Sequence, residues 1–309
     1  MNKLIVSVSP HIWYKRTTTS IMLDVIIALT PALIASVLIF GVRAALVTAV
    51  CVGVCVLSEW LYEKAVKRPS TIKDLSACIT GLLLAFSLPV TIPLWQAAFG
   101  SIVAIVVIKQ LFGGIGKNFA NPSVTARVVM FLAFSGTMST WVSPDGVSSA
   151  TPLAIMSPEA GAAVTSKLPS LLNMFLGTHA GCLGETSAIA LILGGIYLIA
   201  RKVISFHTPV AFIGTVFVLS ALLGVDAVNQ VLAGGLLIGA IFMASDYSTS
   251  PMTSAGKLVY GAGCGLITVL IRLYGSYPEG VSFAILLMNI MVPYIDRGFA
   301  SKPFGRASV

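Results

Sequence analysis

Four polar stretches carry the side chains of this chain that could bind or react, and each interrupts an apolar run. The first is Asp145 to Pro152, DGVSSATP, which gathers Asp145, Ser148, Ser149 and Thr151. By composition it is a solvated Asp/Gly/Ser turn. A threonine hydroxyl has no redox chemistry of its own, so electron transfer at Thr151 would need a cofactor. The second is Phe112 to Ser123, FGGIGKNFANPS. It is no Walker loop, because Asn118 and not Ser or Thr follows Lys117. It is no Rossmann turn, because it follows an apolar helix and no βαβ pattern exists. Its glycines let a ligand or another helix approach the backbone closely. Asn121 and Pro122 have the form of a helix start, with Asn121 as cap and Pro122 in the first turn. The third is Gly184 to Ala188, GETSA, where Thr186 or Ser187 can cap a helix and Glu185 sits near its positive end. The free amides of such an end also suit a phosphate. The fourth is Ser245 to Pro251, SDYSTSP, in which Asp246, Ser248, Thr249 and Ser250 offer oxygens to a hard cation or a polyhydroxyl chain. They serve equally to solvate a turn. Finally, Asp24 and Glu59 are carboxylates in or near apolar runs, where an unpaired charge is costly. Asp24 lies deeper in its run and, with Asp246, is a candidate for an ion path.

The elements that hold these stretches are membrane helices. Apolar residues make up 57% of the 309 and charged ones 10%, with a mean hydropathy of +0.96. Soluble domains carry about 25% charge, so the chain reads as an all-α polytopic membrane protein. No small-residue cleavage site follows a short apolar core near the N-terminus, so no cleaved leader is expected. The five cysteines include no CxxC pair and four lie in apolar runs, which excludes a sequence-evident cluster or zinc site. His11, His179 and His207 are dispersed among polar segments.

Periodicity predicts about ten helices, at roughly 20–40, 42–62, 74–89, 93–112, 123–138, 185–203, 208–224, 228–245, 256–275 and 280–297. The third and fifth are short enough to be broken or re-entrant. The implied divisions are a segment 1–19, a first membrane half 20–138, a polar loop 139–184, a second half 185–297 and a tail 298–309. With both termini on one side, that side takes 16 of the 19 Lys and Arg, leaving Arg43, Lys167 and Arg272 on the other. The positive-inside rule then places both termini in the cytoplasm and the Thr151 loop outside. The net charge of +8 is accounted for by topology and gives no support to nucleic-acid binding. Residues 82–114 resemble 239–276, each an apolar helix, a Ser/Pro turn, a Gly-bearing helix and a basic residue before Gly. Gly100 and Gly114 fall opposite Gly261 and Gly275. The copies stand five helices apart, which predicts two inverted five-helix repeats with sites where short helices meet.

Three segments carry a family resemblance. SPHIWYKRTTTSIMLDVIIALTPALIASVLIFG (9–41), the glycine- and asparagine-rich 112–123 and VSPDGVSSATPLA (142–154) are similar to the D subunit of the Rnf electron-transport complex. The SSAT core also resembles the B subunit of the sodium-pumping NADH:quinone oxidoreductase, a longer chain. The resemblance runs from about residue 9 to 297. It implies FMN attached through a phosphoester to Thr151, with Ser148, Ser149 and Asp145 around it. A second, non-covalent flavin (riboflavin) near Asn121 is also implied. The helix end at 184–188 faces the same outer boundary as Thr151, which makes Glu185 and Thr186 further candidates for flavin contact. It further implies a cytoplasmic membrane location, the A, B, C, E and G proteins of the Rnf complex as partners, and a flavin transferase for maturation. The activity it implies is electron transfer from ferredoxin to NAD coupled to movement of Na+ or H+. The competing class is a secondary transporter with inverted repeats and no redox cofactor, which composition and topology fit equally well.

Overall fold

The computed structural model describes residues 16–143, 150–156, 169–185, 187–275 and 279–300. Asp145, Ser148, Ser149 and Thr186 lie outside them. All regular elements among the described residues are helical apart from an isolated bridge residue at Val142. The first half comprises α1 (Thr18–Phe40), α2 (Val42–Val66), α3 (Ser76–Phe86), α4 (Leu94–Gln110) and α5 (Pro122–Ala133). The second comprises α6 (Ala188–Ala200), α7 (His207–Leu222), α8 (236–243), α9 (Ser254–Tyr274) and α10 (Val281–Gly298). Short helices Pro152–Met156, Leu171–Leu176 and Ala227–Leu232 fill the connections. Among the described residues, only α1, α2, α9 and α10 are long and apolar enough to cross a bilayer unaided.

The predicted helices stand near where periodicity put them: α1 and α2 start or end a few residues beyond the expected bounds, whereas α3, α4 and α6 are shorter. The eighth is the main correction. It is not continuous from 228 to 245 but breaks into Ala227–Leu232 and α8. Gly234 at the break has φ +69°, a conformation open to glycine at little cost. Both α4 and α8 end in π turns, Val103–Gln110 and Gly239–Met243. Such turns are uncommon and concentrate at functional sites.

Two equivalent pairs of contacts recur in the halves. α2 lies on α4 and α7 on α9, while α5 lies on α4 and α10 on α9. α1 and α6 pack on each other between the halves. What repeats is the helix order and the packing, not the individual glycines. Gly100 faces Met130 of α5, whereas Gly261 presses on α7, where a Cβ would lie 2.7 Å from Thr208 O. Likewise α3 meets α2 at Gly81, 2.7 Å short of Val52 Cα for the same added atom. Small residues that admit backbones this closely are how helices associate where lipid removes the hydrophobic drive.

Candidate functional site

Two of the four polar stretches, more than a hundred residues apart, meet at one cavity of about 730 Å³ including its mouth. Its polar wall is Ser76, Thr80, Asn118, Asn121, Asp246 and Ser248, and its apolar wall includes Ile79, Leu83 and Phe242. Asn121 caps α5 as predicted, its Oδ1 accepting from Ser123 N (3.1 Å) and Val124 N (3.4 Å). Its Nδ2 donates to Met243 O (3.2 Å), the last residue of α8. With the Asn289 amide turned to satisfy its neighbours, Asn289 accepts from Asn121 N (3.0 Å) and donates to Thr249 O (3.1 Å). The segment before α5 is thereby tied to the loop after α8. In that loop Asp246 Oδ2 accepts from Ser248 Oγ (2.9 Å) and Thr249 Oγ1 (3.3 Å). Burial pushes the Asp246 acid up, and these hydroxyls pull it back. Asn118 Oδ1 is shielded from solvent and has no hydrogen-bond partner among the described residues. A concave, mostly apolar space with a few converging polar groups and an unmet acceptor is the form of a small-molecule site.

Lys109 also lines this cavity, and it changes the charge balance across the membrane. Lys109 is not a surface charge. It is 2% exposed, and its Nζ donates to both oxygens of Glu59 and to Ser76 Oγ, each at 2.8 Å. Glu59, 0% exposed, also accepts from Thr71 Oγ1 and Gln110 Nε2, both at 2.9 Å. Arg127 and Arg272 are buried as well. Setting these three aside leaves 14 basic residues against 2, so the bias survives. Asp24 is buried, receives Tyr197 Oη (3.0 Å) and pairs with Arg201 (3.3 Å). It joins α1 to α6, so its burial has a structural account independent of any ion path.

At the opposite ends of α3 and α8 lie the other two stretches. Thr151 is buried, where the sequence predicts a solvated turn. Its Oγ1 accepts from Ala154 N (3.2 Å) and caps Pro152–Met156. Leu153 packs at the break before α8, where a Cβ on Gly234 would overlap it. Glu185 comes to the same break, 3.1 Å from where a Cβ on Gly235 would stand. It does not cap α6, which begins at Ala188 with Ser187 Oγ accepting from Ala190 N (3.3 Å). Its segment instead pairs with the end of α3, Leu183 N donating to Leu88 O (3.1 Å) and Gly184 N to Phe86 O (2.8 Å). Arg127, in mid-α5, reaches Glu279, Glu185 and Cys182.

Lys109, Arg127, Glu279, Cys182 and Asn289 were not marked as site residues by the sequence. The available signal was a basic residue inside an apolar helix, which must find a buried partner. The structure thus brings Asn121 and Asp246 to one cavity, places Thr151 and Glu185 against one helix break, and leaves Asp24 outside the cavity lining but next to it, between Met22 and Val25, which do line it.

The NQR2, RnfD, RnfE family matches the chain over residues 5–305. The chain is 45% identical to the D subunit of the Na(+)-translocating ferredoxin:NAD(+) oxidoreductase complex of Acetobacterium woodii, over 98% of this chain and 95% of that one. It is 41% identical to the D subunit of the proton-translocating ferredoxin:NAD(+) oxidoreductase complex of Clostridium ljungdahlii, over 98% and 97%. It is 36% identical to the D subunit of the ion-translocating oxidoreductase complex of Stutzerimonas stutzeri, over 93% and 92%. The chain is therefore a multi-pass membrane protein that belongs to the NQR2, RnfD, RnfE family.

Proposed function

We propose that this chain is the D subunit of an ion-translocating ferredoxin:NAD oxidoreductase complex. In this reading it carries FMN on Thr151 and holds a second, non-covalent flavin in the Asn121–Asp246 cavity. It works with the A, B, C, E and G proteins of the complex after maturation by a flavin transferase. It lies in the cytoplasmic membrane with both termini inside and Thr151 outside. The observation that carries the reading is near-full-length similarity to the D subunits of such complexes.

The residues present are compatible with both groups. Esterifying Thr151 replaces the hydroxyl hydrogen and keeps the oxygen, so Ala154 N retains its acceptor. Asn118 Oδ1 has no donor among the described residues, and the cavity offers apolar faces on one side and hydroxyls on the other. A bound flavin supplies uptake and release of one or two electrons. The chain's part is placement. The Leu153 contact fixes the tether against the break before α8. Asn121 and Asn289 hold the cavity wall in register. The Lys109–Glu59 pair keeps a cation at the cavity edge without exposing an unpaired charge.

The test is a denaturing gel viewed under ultraviolet light. The chain expressed with its flavin transferase should show a fluorescent band at its own size, and Thr151→Val should show none. A band that persists in Thr151→Val would move the attachment site. No band from the unaltered chain would favour the transporter class instead.

A further inference from the structure

Beside the Asn121–Asp246 cavity lies a smaller one of about 430 Å³ including its mouth. Ile204, Ser245 and Tyr247 line both. The smaller cavity adds polar groups of its own, Ser205, Thr208, Ser250 and Lys257. Thr208 is 1% exposed and Ser250 8%, yet neither hydroxyl makes a hydrogen bond to the described residues. Thr48, Thr80, Thr125 and Thr268, buried in their helices, each spend the hydroxyl on the carbonyl four residues earlier. Thr208 makes no such bond and is left open to the cavity. A buried hydroxyl without a partner is costly unless a ligand or water satisfies it.

The charge around these hydroxyls has one sign. Lys257 is half-buried and has no ion pair among the described residues. It stands close to the start of α9, and Thr208 is the second residue of α7. Neither helix has an acid in its first turn, so both positive ends are uncompensated there. The α7 start also lacks a side-chain cap, which leaves the His207 and Thr208 amides open. Among the described residues no carboxylate lines this cavity. Asp246 lines the neighbouring one and is met by Ser248 and Thr249. Asp296 is engaged by Met252 N (3.0 Å).

We propose that this cavity binds a phosphate group, with the Thr208 and Ser250 hydroxyls and the α7 amides donating to its oxygens and Lys257 neutralising its charge. The donors come from three segments, the start of α7, the loop after α8 and the start of α9, and so surround the space. A tetrahedral oxyanion presents acceptors to all three, whereas a planar carboxylate offers two oxygens on one edge. The group belongs either to an anionic phospholipid or to a soluble phosphate. A turn between two membrane helices lies at the depth of lipid headgroups, and Met252, in the same wall, is 88% exposed and gives a lipid an apolar contact. The site is read from its donors and does not rest on the proposed function.

The test is protection of Lys257 from an amine-acylating reagent, read by peptide mass spectrometry on the full chain in maltoside micelles free of phosphate. One arm adds inorganic phosphate and the other short-chain phosphatidylglycerol, each against sodium chloride of matched ionic strength. At least one arm should slow acylation of Lys257 in a saturable way and leave exposed Lys67 unchanged. Protection by phosphatidylglycerol alone assigns the site to a lipid headgroup, and protection by inorganic phosphate assigns it to a soluble phosphate group. Thr208→Val and Ser250→Ala each remove one donor, and each should raise the concentration for half-protection about tenfold, as for the loss of a hydrogen bond to a charged group. No slowing in either arm overturns the proposal on the unaltered chain. So does protection that is unchanged in both variants, since Lys257 alone would then account for it.

Discussion

Lys109→Met isolates the energetics of the cavity edge. Lys109 and Glu59 are 2% and 0% exposed and meet at 2.8 Å. Removing one partner of a buried ion pair costs about 3–5 kcal/mol, since it strands the other charge. Glu59 keeps Gln110 Nε2 at 2.9 Å and shares the single Thr71 hydroxyl proton with Glu63. That places the expected cost near the lower end, about 3 kcal/mol, or roughly a hundredfold in the folding equilibrium. Adding Glu59→Gln removes the stranded charge and leaves an amide oxygen for Thr71 and Gln110. The double variant should therefore recover about 2 kcal/mol of the loss, because neutral replacement of buried pairs is often close to neutral in stability. The measurement is loss of helical circular dichroism as sodium dodecyl sulfate is titrated into mixed micelles of each variant. If Lys109→Met stays within about 1 kcal/mol of the parent, or the double variant is no better than the single one, the buried-pair reasoning is refuted.

Three further outcomes are expected. Asn121→Ala removes a helix cap and the Met243 tie, so it should cost about 1–2 kcal/mol and release the non-covalent flavin, which acid extraction of purified protein would quantify; full retention would move that flavin elsewhere. In a cysteine-free background, Ser170→Cys should react with an impermeant thiol reagent added outside intact cells and Ser70→Cys should not, both positions being exposed; the reverse pattern would invert the topology. Stability should also depend on pH through Glu279. Its folded acid sits near 7 against an unfolded 4.5, so the folded state binds the proton more tightly. The stabilisation is full below about 4.5 and is lost as pH rises through about 7. Glu279→Gln should flatten that window in the same detergent titration, and an unchanged slope would exclude Glu279 as its source.

The helical layout was legible because apolar runs and their breaks follow directly from the cost of placing polar groups in lipid. The Asn121 cap was legible for the same local reason, since the capping oxygen bonds only the first turn of its own helix, while the Met243 tie made by its amide nitrogen was not. What escaped was long-range. Lys109 and Arg127 read as inside charges because sequence position puts them near helix ends or polar turns, and only packing reveals Glu59 and Glu279 opposite them. Thr151 read as solvated because its neighbours are polar, yet its own side chain turns inward. The break before α8 was hidden in an unbroken apolar stretch. Its marker was the Gly234–Gly235 pair, which also suits close helix contact and so does not identify itself.

The cross-links between the two halves bear on how the molecule can move. α1 is held to α6 by Asp24 and Arg201, and at Gly194, whose missing Cβ leaves room for Ala28 O. Asn121 fastens the first half to the end of α8 at one face of the bundle. Arg127 fastens it to Glu279 and Ser282 at the other. Rocking one half over the other, as alternating access requires, would have to part both fastenings and slide a glycine contact that has no slack. Local motion is less constrained. The short helices α3 and α8 end inside the bundle, and α8 is joined to its predecessor only through a glycine break. Freedom to gate therefore lies in α8, entered through a glycine break, while α3 is bonded at both ends and belongs to the fixed frame.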